Sequence, residues 1–337
     1  ILLMMRFYVL FHVLASSLLG VASWSTAAAL LSLGLAASAS LGILQGLLGV
    51  DITLPDVELN TSNTSAVIGT QTVVRTVGTF ANSLNFANYV SVAVFALAAL
   101  PIRNGLLRRP IVVAVAVCAV TALFFSLSRG PILAAAVGAI ALWATQVRAA
   151  RQWRIWVISA ALTSMIVVPV FGSRVTQSVL GESLFVRFAS VAENLEFDLR
   201  YSLWLEAGKR LGDHVVGVGL RNSNYRVPWP ERAIMAPGYF PYDTPGWKPF
   251  NFHFENVYLA AYMNLGVLGL MGFLMLVWQL VVVPLRIAQT ASAETKRVAG
   301  FLFAASLAFA LNMITNPAIL SDLRIMAFFW MLMAAVA

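Results

Sequence analysis

The sequence predicts an all-α, polytopic integral membrane protein with one large, partly helical loop outside the membrane. Hydrophobic residues make up 60% of the chain and charged residues 11%, whereas a soluble domain carries roughly 25% charged residues. The charges are also unevenly spread, because long uncharged runs alternate with short basic connections and one long polar segment. These observations exclude an ordinary soluble domain and predict membrane-spanning helices on both sides of the polar segment.

Eight uncharged runs predict nine membrane spans, the last of them incomplete, since a span takes about 20 apolar residues. They are two spans within residues 7–50, broken near residues 20–26, and single spans at 86–102, 111–128, 130–147, 155–172, 256–285, 298–321 and 325–337. Three regions follow: N-terminal spans (residues 1–172), the polar segment (173–255) and C-terminal spans (256–337). Because the chain begins with Ile1 and its last run has only 13 residues, we expect a fragment clipped at both ends.

Basic residues predict the orientation of these spans. Lys and Arg cluster in three short connections, at residues 103–109, 148–154 and 286–297, and such clusters mark the cytoplasmic side. Residues 51–85, the turn at Arg129, the polar segment and the turn at residues 316–317 then face outward, which in a bacterium is the periplasmic side of the inner membrane. Because much of the excess of Lys and Arg lies in these short connections, the net charge of +8 reflects the orientation of the spans. No nucleic-acid partner is therefore predicted.

Six short stretches resemble the bacterial O-antigen ligase and O-antigen polymerase superfamily. They are RTVGTF at residues 75–80 with Asn85 after it, SRG at 128–130, RYSLW at 200–204, VGVGL at 216–220, and HFENVYL at 253–259 leading into LGVLGL at 265–270. Ligases of this superfamily have about twelve spans with a large loop before the last three, so nine spans fit a chain lacking three at its start. Many members carry a histidine directly before the Asn, where this chain has Glu255.

The resemblance implies a metal-independent glycosyl transfer at the periplasmic face, with no cofactor. The donor is a glycan on undecaprenyl pyrophosphate, and an outward-facing transferase has no ATP and needs such a pre-activated donor. The acceptor is a sugar hydroxyl, on the lipid A core for a ligase or on another lipid-linked glycan for a polymerase. We favour the ligase, because the spacing between Arg200 and His253 is closer to that group.

The chemistry of this transfer selects candidate residues. Cations must hold the pyrophosphate as negative charge grows on it, and Arg does so with a bidentate fork, so Arg75, Arg129 and Arg200 are the candidates. A base is needed near the incoming hydroxyl, and either His253 or Glu255 fits. Three tryptophans are candidates for stacking on sugar rings: Trp204, Trp229 and Trp247.

Simpler roles compete with these. Arg129 is placed where a snorkelling anchor residue would also lie, Arg200 is able to pair with nearby carboxylates at a surface, and His253 lies between two phenylalanines that would pack against it. Tryptophan is enriched at membrane interfaces, which is the more common explanation for the three Trp residues.

Two further predictions concern glycines and metals. Gly266, Gly269 and Gly272 recur every three residues within a predicted span, a spacing that lets another helix approach closely. Neither Asp213-His214 nor the acidic residues of the 51–58 loop has enough spaced ligands for a metal site, so none is predicted.

A transporter or lipid flippase is the alternative from another functional class. Transporters place polar residues near mid-membrane and repeat their halves. This sequence keeps its apolar runs free of charge and concentrates polarity in one outer segment, which favours the enzyme.

Overall fold

The computed structural model describes residues 20–48, 65–68, 71–80, 82–101, 109–146, 211–217, 256–316 and 323–336, with isolated residues such as Trp204 and Gly219. Within these residues it has eight α-helices. They are α1 (Val21–Leu48), α2 (Ser83–Ala93), α3 (Ala96–Ala99), α4 (Arg109–Phe125), α5 (Arg129–Gln146), α6 (Val257–Thr290), α7 (Ala293–Thr315) and α8 (Leu323–Val336). The predicted all-α membrane protein is confirmed: α1, α6 and α7 are long and apolar enough to cross a membrane, and the α2–α3 pair and α4 are shorter apolar helices.

Several predicted boundaries differ from the observed ones. Helix α1 begins directly after Gly20, so residues 21–26 are helical rather than a connection. The predicted basic connection at 286–297 is mostly helical, because α6 continues to Thr290 and α7 begins at Ala293. The segment before Arg75 contains a small antiparallel hairpin, β1 (Ser65–Ile68) paired with β2 (Gln71–Val74), which was not predicted from the sequence.

Helix α7 is the centre of the bundle. It contacts α1, α2, α3, α5, α6 and α8, and small buried residues dominate the middle of its sequence, including Ala304, Ala305 and Ala308. Small side chains let helix backbones approach closely. A Cβ added to Gly138 of α5 would lie 3.0 Å from the backbone oxygen of Ala304, so this approach is used between α5 and α7.

The outer surfaces of the helices are apolar. Leu33 of α1, Leu268 and Trp278 of α6 and Ile140 of α5 are all more than half exposed. A soluble protein rarely leaves so much large apolar surface in water. These faces are therefore suited to lipid, as expected for a membrane protein.

The bundle has two distinct ends. At the first, which we call the turn end (residues 75–82, 126–130, 256–258 and 315–316), the backbone N–H of Thr76 donates to the oxygen of Phe125 at 3.3 Å. At the second, the basic end (residue 146 and residues 286–297), the Gln146 side chain donates to the backbone oxygen of Lys296 at 3.1 Å. The motifs at residues 75–80 and 128–130 thus share one end, and Arg286, Lys296 and Arg297 lie at the other.

Candidate active site

The turn end brings together two of the predicted site residues, Arg75 and Arg129. Trp204 is described as helical and half-buried. The remaining predicted site residues lie outside the described residues: Arg200, Trp229, Trp247, His253 and Glu255. The described part of the candidate site is therefore limited to the turn end and Trp204.

The turn between α4 and α5 is tight and buried. Leu127 has a φ of 53°, a left-handed conformation that is uncommon for a residue other than Gly. Its side chain is only 2% exposed, and the Ser128 backbone N–H donates to the Ser126 hydroxyl at 3.3 Å. Burial of the leucine and this local hydrogen bond hold the turn that starts α5 at Arg129.

Arg75 clamps this turn from the side. Its Nε donates to the backbone oxygen of Ser126 at 3.1 Å, and its Nη2 donates to the hydroxyl of Ser128 at 2.9 Å. These two bonds use one edge of the planar guanidinium fork, a geometry that Lys does not reproduce. Arg75 therefore positions the residues next to Arg129, in addition to the pyrophosphate role predicted from the sequence.

Gln45 of α1 holds the segment that carries Arg75. The Gln45 side chain is 1% exposed; its oxygen accepts from the backbone N–H groups of Val77 and Gly78 at 3.0 and 2.8 Å, and its nitrogen donates to the oxygen of Gly78 at 3.3 Å. Gly78 has a φ of +54°, and a Cβ there would lie 2.5 Å from Phe86. Gln45 was not predicted as a functional residue, although an amide inside a long apolar run is a detectable signal.

Arg129 opens α5 beside the carboxyl end of α7. Its own exposure is intermediate, and the next residue, Gly130, is in close contact with α7. A Cβ at Gly130 would lie 2.5 Å from the hydroxyl oxygen of Thr315. The glycine of the SRG motif is thus explained by helix packing, and it fixes Arg129 relative to α7.

The amino end of α6 is also at the turn end. The Asn256 side chain caps the helix by accepting the Leu259 backbone N–H at 3.1 Å, as expected for an Asn in the N-cap position. Two residues later, the Tyr258 hydroxyl donates to the backbone oxygen of Ala310 in α7 at 2.9 Å. The helix that follows His253 and Glu255 in the chain is thus tied to α7 near Thr315.

The sequence predicted that the glycines of α6 let another helix approach closely, and for Gly266 this partner is wrong. Gly266 has φ 69° and ψ −167° and interrupts the helix, and the atoms beside it belong to the non-helical backbone of Val215 and Val216. In this contact, which we call the joint (residues 215–219 and 264–267), the Val267 N–H donates to the Val215 oxygen and the Gly219 N–H donates to the Asn264 oxygen, both at 2.9 Å. Gly272 has nothing within 4 Å of an added Cβ, so it does not mediate packing.

The joint fastens the polar segment to a membrane helix. Leu211–His214 form a short 3-10 helix, and the Tyr262 hydroxyl donates to the Leu211 oxygen at 2.6 Å. Gly219 therefore lies at Asn264, eight residues along α6 from Asn256, a distance of about 12 Å in a helix. The described residues on either side of residues 220–255, Gly219 and Asn256, thus both lie at the first part of α6, and the VGVGL and LGVLGL motifs are in contact.

No group of three or more His, Cys, Asp or Glu side chains suited to holding a metal occurs in the part of the chain that the structure describes. The described polar residues at the turn end include Arg75, Arg129, Ser128 and Asn256. Such groups donate hydrogen bonds to an anion, and a helix amino end adds partial positive charge. The residue types described at the turn end are therefore compatible with an anionic group.

Comparison with known proteins agrees with the motif pattern. Residues 114–274 match the family described as O-antigen ligase (Wzy_C). This range includes the SRG turn, the joint and the amino end of α6. No curated protein and no solved structure matches the chain.

Proposed function

Because the chain belongs, over residues 114–274, to the O-antigen ligase family, a family of ligase- and polymerase-type membrane enzymes, we propose that it is an O-antigen ligase-like glycosyltransferase. It moves a glycan from undecaprenyl pyrophosphate to a sugar hydroxyl of the lipid A core. The turn end faces the periplasm and the basic end faces the cytoplasm, as the positive-inside rule requires.

One observation supports this proposal above the others. Three motifs separated by up to about half of the chain meet at the turn end: Arg75 bonds the turn that precedes Arg129, and α6, which follows His253 and Glu255, is bonded to α7 there. The pyrophosphate of a lipid-linked donor lies at the depth of the membrane interface. This arrangement supports the proposal, because it brings Arg75 and the turn before Arg129 to the end of the bundle at which α6 begins.

In the proposed reaction, the acceptor hydroxyl attacks the anomeric carbon of the donor sugar. The bond from that carbon to the pyrophosphate oxygen breaks, and its electron pair leaves with the pyrophosphate, which Arg129 and Arg200 stabilise. The acceptor proton passes to His253 or Glu255 as general base. Arg75 supports Arg129 by fixing the α4–α5 turn, and Trp204, Trp229 and Trp247 are the candidates for stacking on the sugars. The proposed reaction accounts for every bond and proton without a metal or a cofactor.

The first test is the surface lipopolysaccharide of cells in which the intact gene is deleted. A bare core, with long glycans accumulating on the lipid carrier, is expected for a ligase. A core that carries a single repeat unit would identify a polymerase of the same family instead. An unchanged lipopolysaccharide ladder would overturn both roles in that strain and would favour another exported polysaccharide or a transporter.

The second test examines the proposed roles of individual residues. We expect Arg129→Gln to abolish transfer and Arg129→Lys to retain a small part of it, because Lys keeps the charge and loses the fork. The matched control is Arg109→Gln, since Arg109 opens α4 at the far end of that helix from the turn and its loss leaves the turn end intact. Transfer that persists in the double variant His253→Ala with Glu255→Ala would refute the assigned bases.

A further inference from the structure

The break in α6 at Gly266 releases two backbone groups of that helix, and the polar segment bonds to both. In a continuous helix, each N–H donates to the oxygen four residues earlier. Here the Val267 N–H donates to the Val215 oxygen instead, and the Asn264 oxygen accepts from the Gly219 N–H. At an aqueous surface water would satisfy such groups, whereas in lipid only protein groups do so. The joint thus supplies what a helix break in lipid requires.

The position of Gly266 along α6 indicates its depth in the membrane. Residues 267–285 carry no charge, and Arg286 follows them at the basic end. As a helix, residues 267–285 are about 28 Å long, which is close to the ~30 Å thickness of the hydrocarbon layer. With Arg286 in the interface on one side, Gly266 lies at the boundary of the hydrocarbon layer on the other side, where the turn end is.

The joint exposes apolar side chains at this boundary. Val215 and Val216 are 53% and 89% exposed, although both belong to the segment predicted to lie outside the membrane. Two leucines that flank Gly266 in α6 are exposed as well, Leu265 at 40% and Leu268 at 83%. We call these four residues the apolar patch. A valine gains about 1.5–3 kcal/mol when it leaves water for an apolar environment, so water is an unfavourable surrounding for the patch.

The apolar patch is continuous with the surface that α6 presents to lipid. Leu268 begins a stripe that continues with Met271, Met275 and Trp278, each more than half exposed and spaced three or four residues apart on one face of the helix. The carbonyl groups of Val215 and Val216 lie against Gly266, two residues before Leu268. The two valines therefore extend the stripe across the helix break, and lipid is the surrounding that the whole stripe shares.

We propose that Val215 and Val216 insert into the hydrocarbon layer of the bilayer, on the side of the turn end. Lipid acyl chains are their partner. The backbone hydrogen bonds of the joint fix the valines to α6, and their side chains anchor the polar segment in the membrane at a point before its return at Asn256. The inference requires that α6 spans the membrane, and it does not depend on the transfer reaction.

Fluorescence quenching of a label at position 216 tests the proposal. The full-length protein first receives Cys118→Ala, which removes its single cysteine, and then Val216→Cys, which is labelled with bimane. The labelled protein is placed in lipid nanodiscs, whose two faces are both open to water. One quencher is a phospholipid with a nitroxide near the start of its acyl chain, and the other is iodide in the water. We expect strong quenching by the lipid and weak quenching by iodide.

Two further labelled positions calibrate this measurement. Leu268→Cys reports a side chain in the lipid-facing stripe, and Glu294→Cys reports a side chain in water, since Glu294 is a charged residue, 65% exposed, at the basic end. Position 216 is expected to match position 268 with the lipid quencher, and its iodide quenching should be several-fold weaker than at position 294. Iodide quenching equal to that at position 294 would place Val216 in water and overturn the proposal. Protection from both quenchers would show that protein covers the valines, a second copy of the chain or another part of this one, and would overturn it as well.

Melting temperatures in nanodiscs give a readout without a label. Val216→Asp places a carboxylate at the boundary of the hydrocarbon layer, where a charge is costly, and we expect a fall of several degrees. Because Val216 is 89% exposed, this substitution removes almost no contact with protein. The matched control is Val216→Leu, which keeps an apolar side chain and should leave the melting temperature unchanged. Equal melting temperatures of the Asp and Leu variants are the outcome expected at an aqueous surface, and would contradict insertion.

Discussion

Replacing Gly266 by Ala tests the joint between the polar segment and α6. Gly266 occupies a region of φ and ψ that is essentially restricted to Gly, and a residue with a Cβ there costs about 1–3 kcal/mol. The added Cβ would also lie 2.3 Å from the Val215 oxygen and 2.5 Å from the Val216 carbonyl carbon. Both are backbone atoms, which a change of side-chain rotamer cannot move. Residues 215–219 must therefore move away from Gly266.

The cost of that movement follows from the bonds it breaks. The two backbone hydrogen bonds of the joint, from Val267 to Val215 and from Gly219 to Asn264, contribute about 0.5–1.5 kcal/mol each. With the strain of the Ala, the total is about 2–6 kcal/mol. We expect a lower melting temperature, faster proteolysis near residues 211–219, and loss of transfer at temperatures where the bundle remains folded.

Gly272→Ala is the control for this prediction. Gly272 lies in the same helix with nothing within 4 Å of an added Cβ, and Ala is favoured over Gly in a helix by about 1 kcal/mol. The control should therefore melt at the same or a slightly higher temperature, with normal transfer. Equal effects of the two substitutions on melting and proteolysis would refute the prediction that Gly266 is required for the joint.

Three further predictions concern the turn end. Gly130→Ala forces a Cβ against the Thr315 hydroxyl and should lower stability by about 1–3 kcal/mol, with recovery of melting temperature and transfer when Thr315→Ala is added. Gln45→Leu leaves the N–H groups of Val77 and Gly78 without their acceptor, at about 1–3 kcal/mol for each buried group, so the segment with Arg75 should become protease-sensitive. Arg75→Lys loses one of the two turn contacts, and its transfer rate should lie between those of wild type and Arg75→Ala.

Controls for these variants come from the same helices. Ser32→Ala in α1 removes a hydroxyl that donates only to the backbone oxygen of Ala28 in its own helix, at 2.7 Å, and should leave the Arg75 segment protected. If Gln45→Leu behaves like Ser32→Ala, Gln45 does not hold that segment. If Thr315→Ala gives no recovery to Gly130→Ala, the glycine has a role other than packing on Thr315.

Much of the architecture was predictable from the sequence because the membrane restricts the choice. A long uncharged run has to be helical in lipid, where each backbone group needs an internal partner, and α1, α6 and α7 confirm this reasoning. Helix ends were less predictable, since charged residues such as Arg286 and Lys296 continue a helix into the interface instead of ending it. The hairpin at residues 65–74 was missed because two strands of four residues leave no clear alternation.

The candidate site was predictable in its residue types and only partly in its arrangement. Arg75 and Arg129 were selected by the chemistry of pyrophosphate, and this role stays a prediction; the contact of Arg75 with Ser126 and Ser128, next to Arg129, became visible only in the structure. That Arg75 supports the turn, and that Gly130 is set by Thr315 on a helix far along the chain, are facts of packing. No local pattern encodes a contact between residues so distant in sequence.

The sequence by itself determined the class of protein, the positions of most helices and the family, because hydropathy and short motifs are local properties. Only the tertiary structure decided what each motif touches. Gly266 shows the difference: its spacing suggested a helix partner, whereas its backbone conformation and the hydrogen bonds to residues 215–219 show that it receives the polar segment. Spacing records which side of a helix a residue occupies, and the partner on that side is set by the packing of the whole chain.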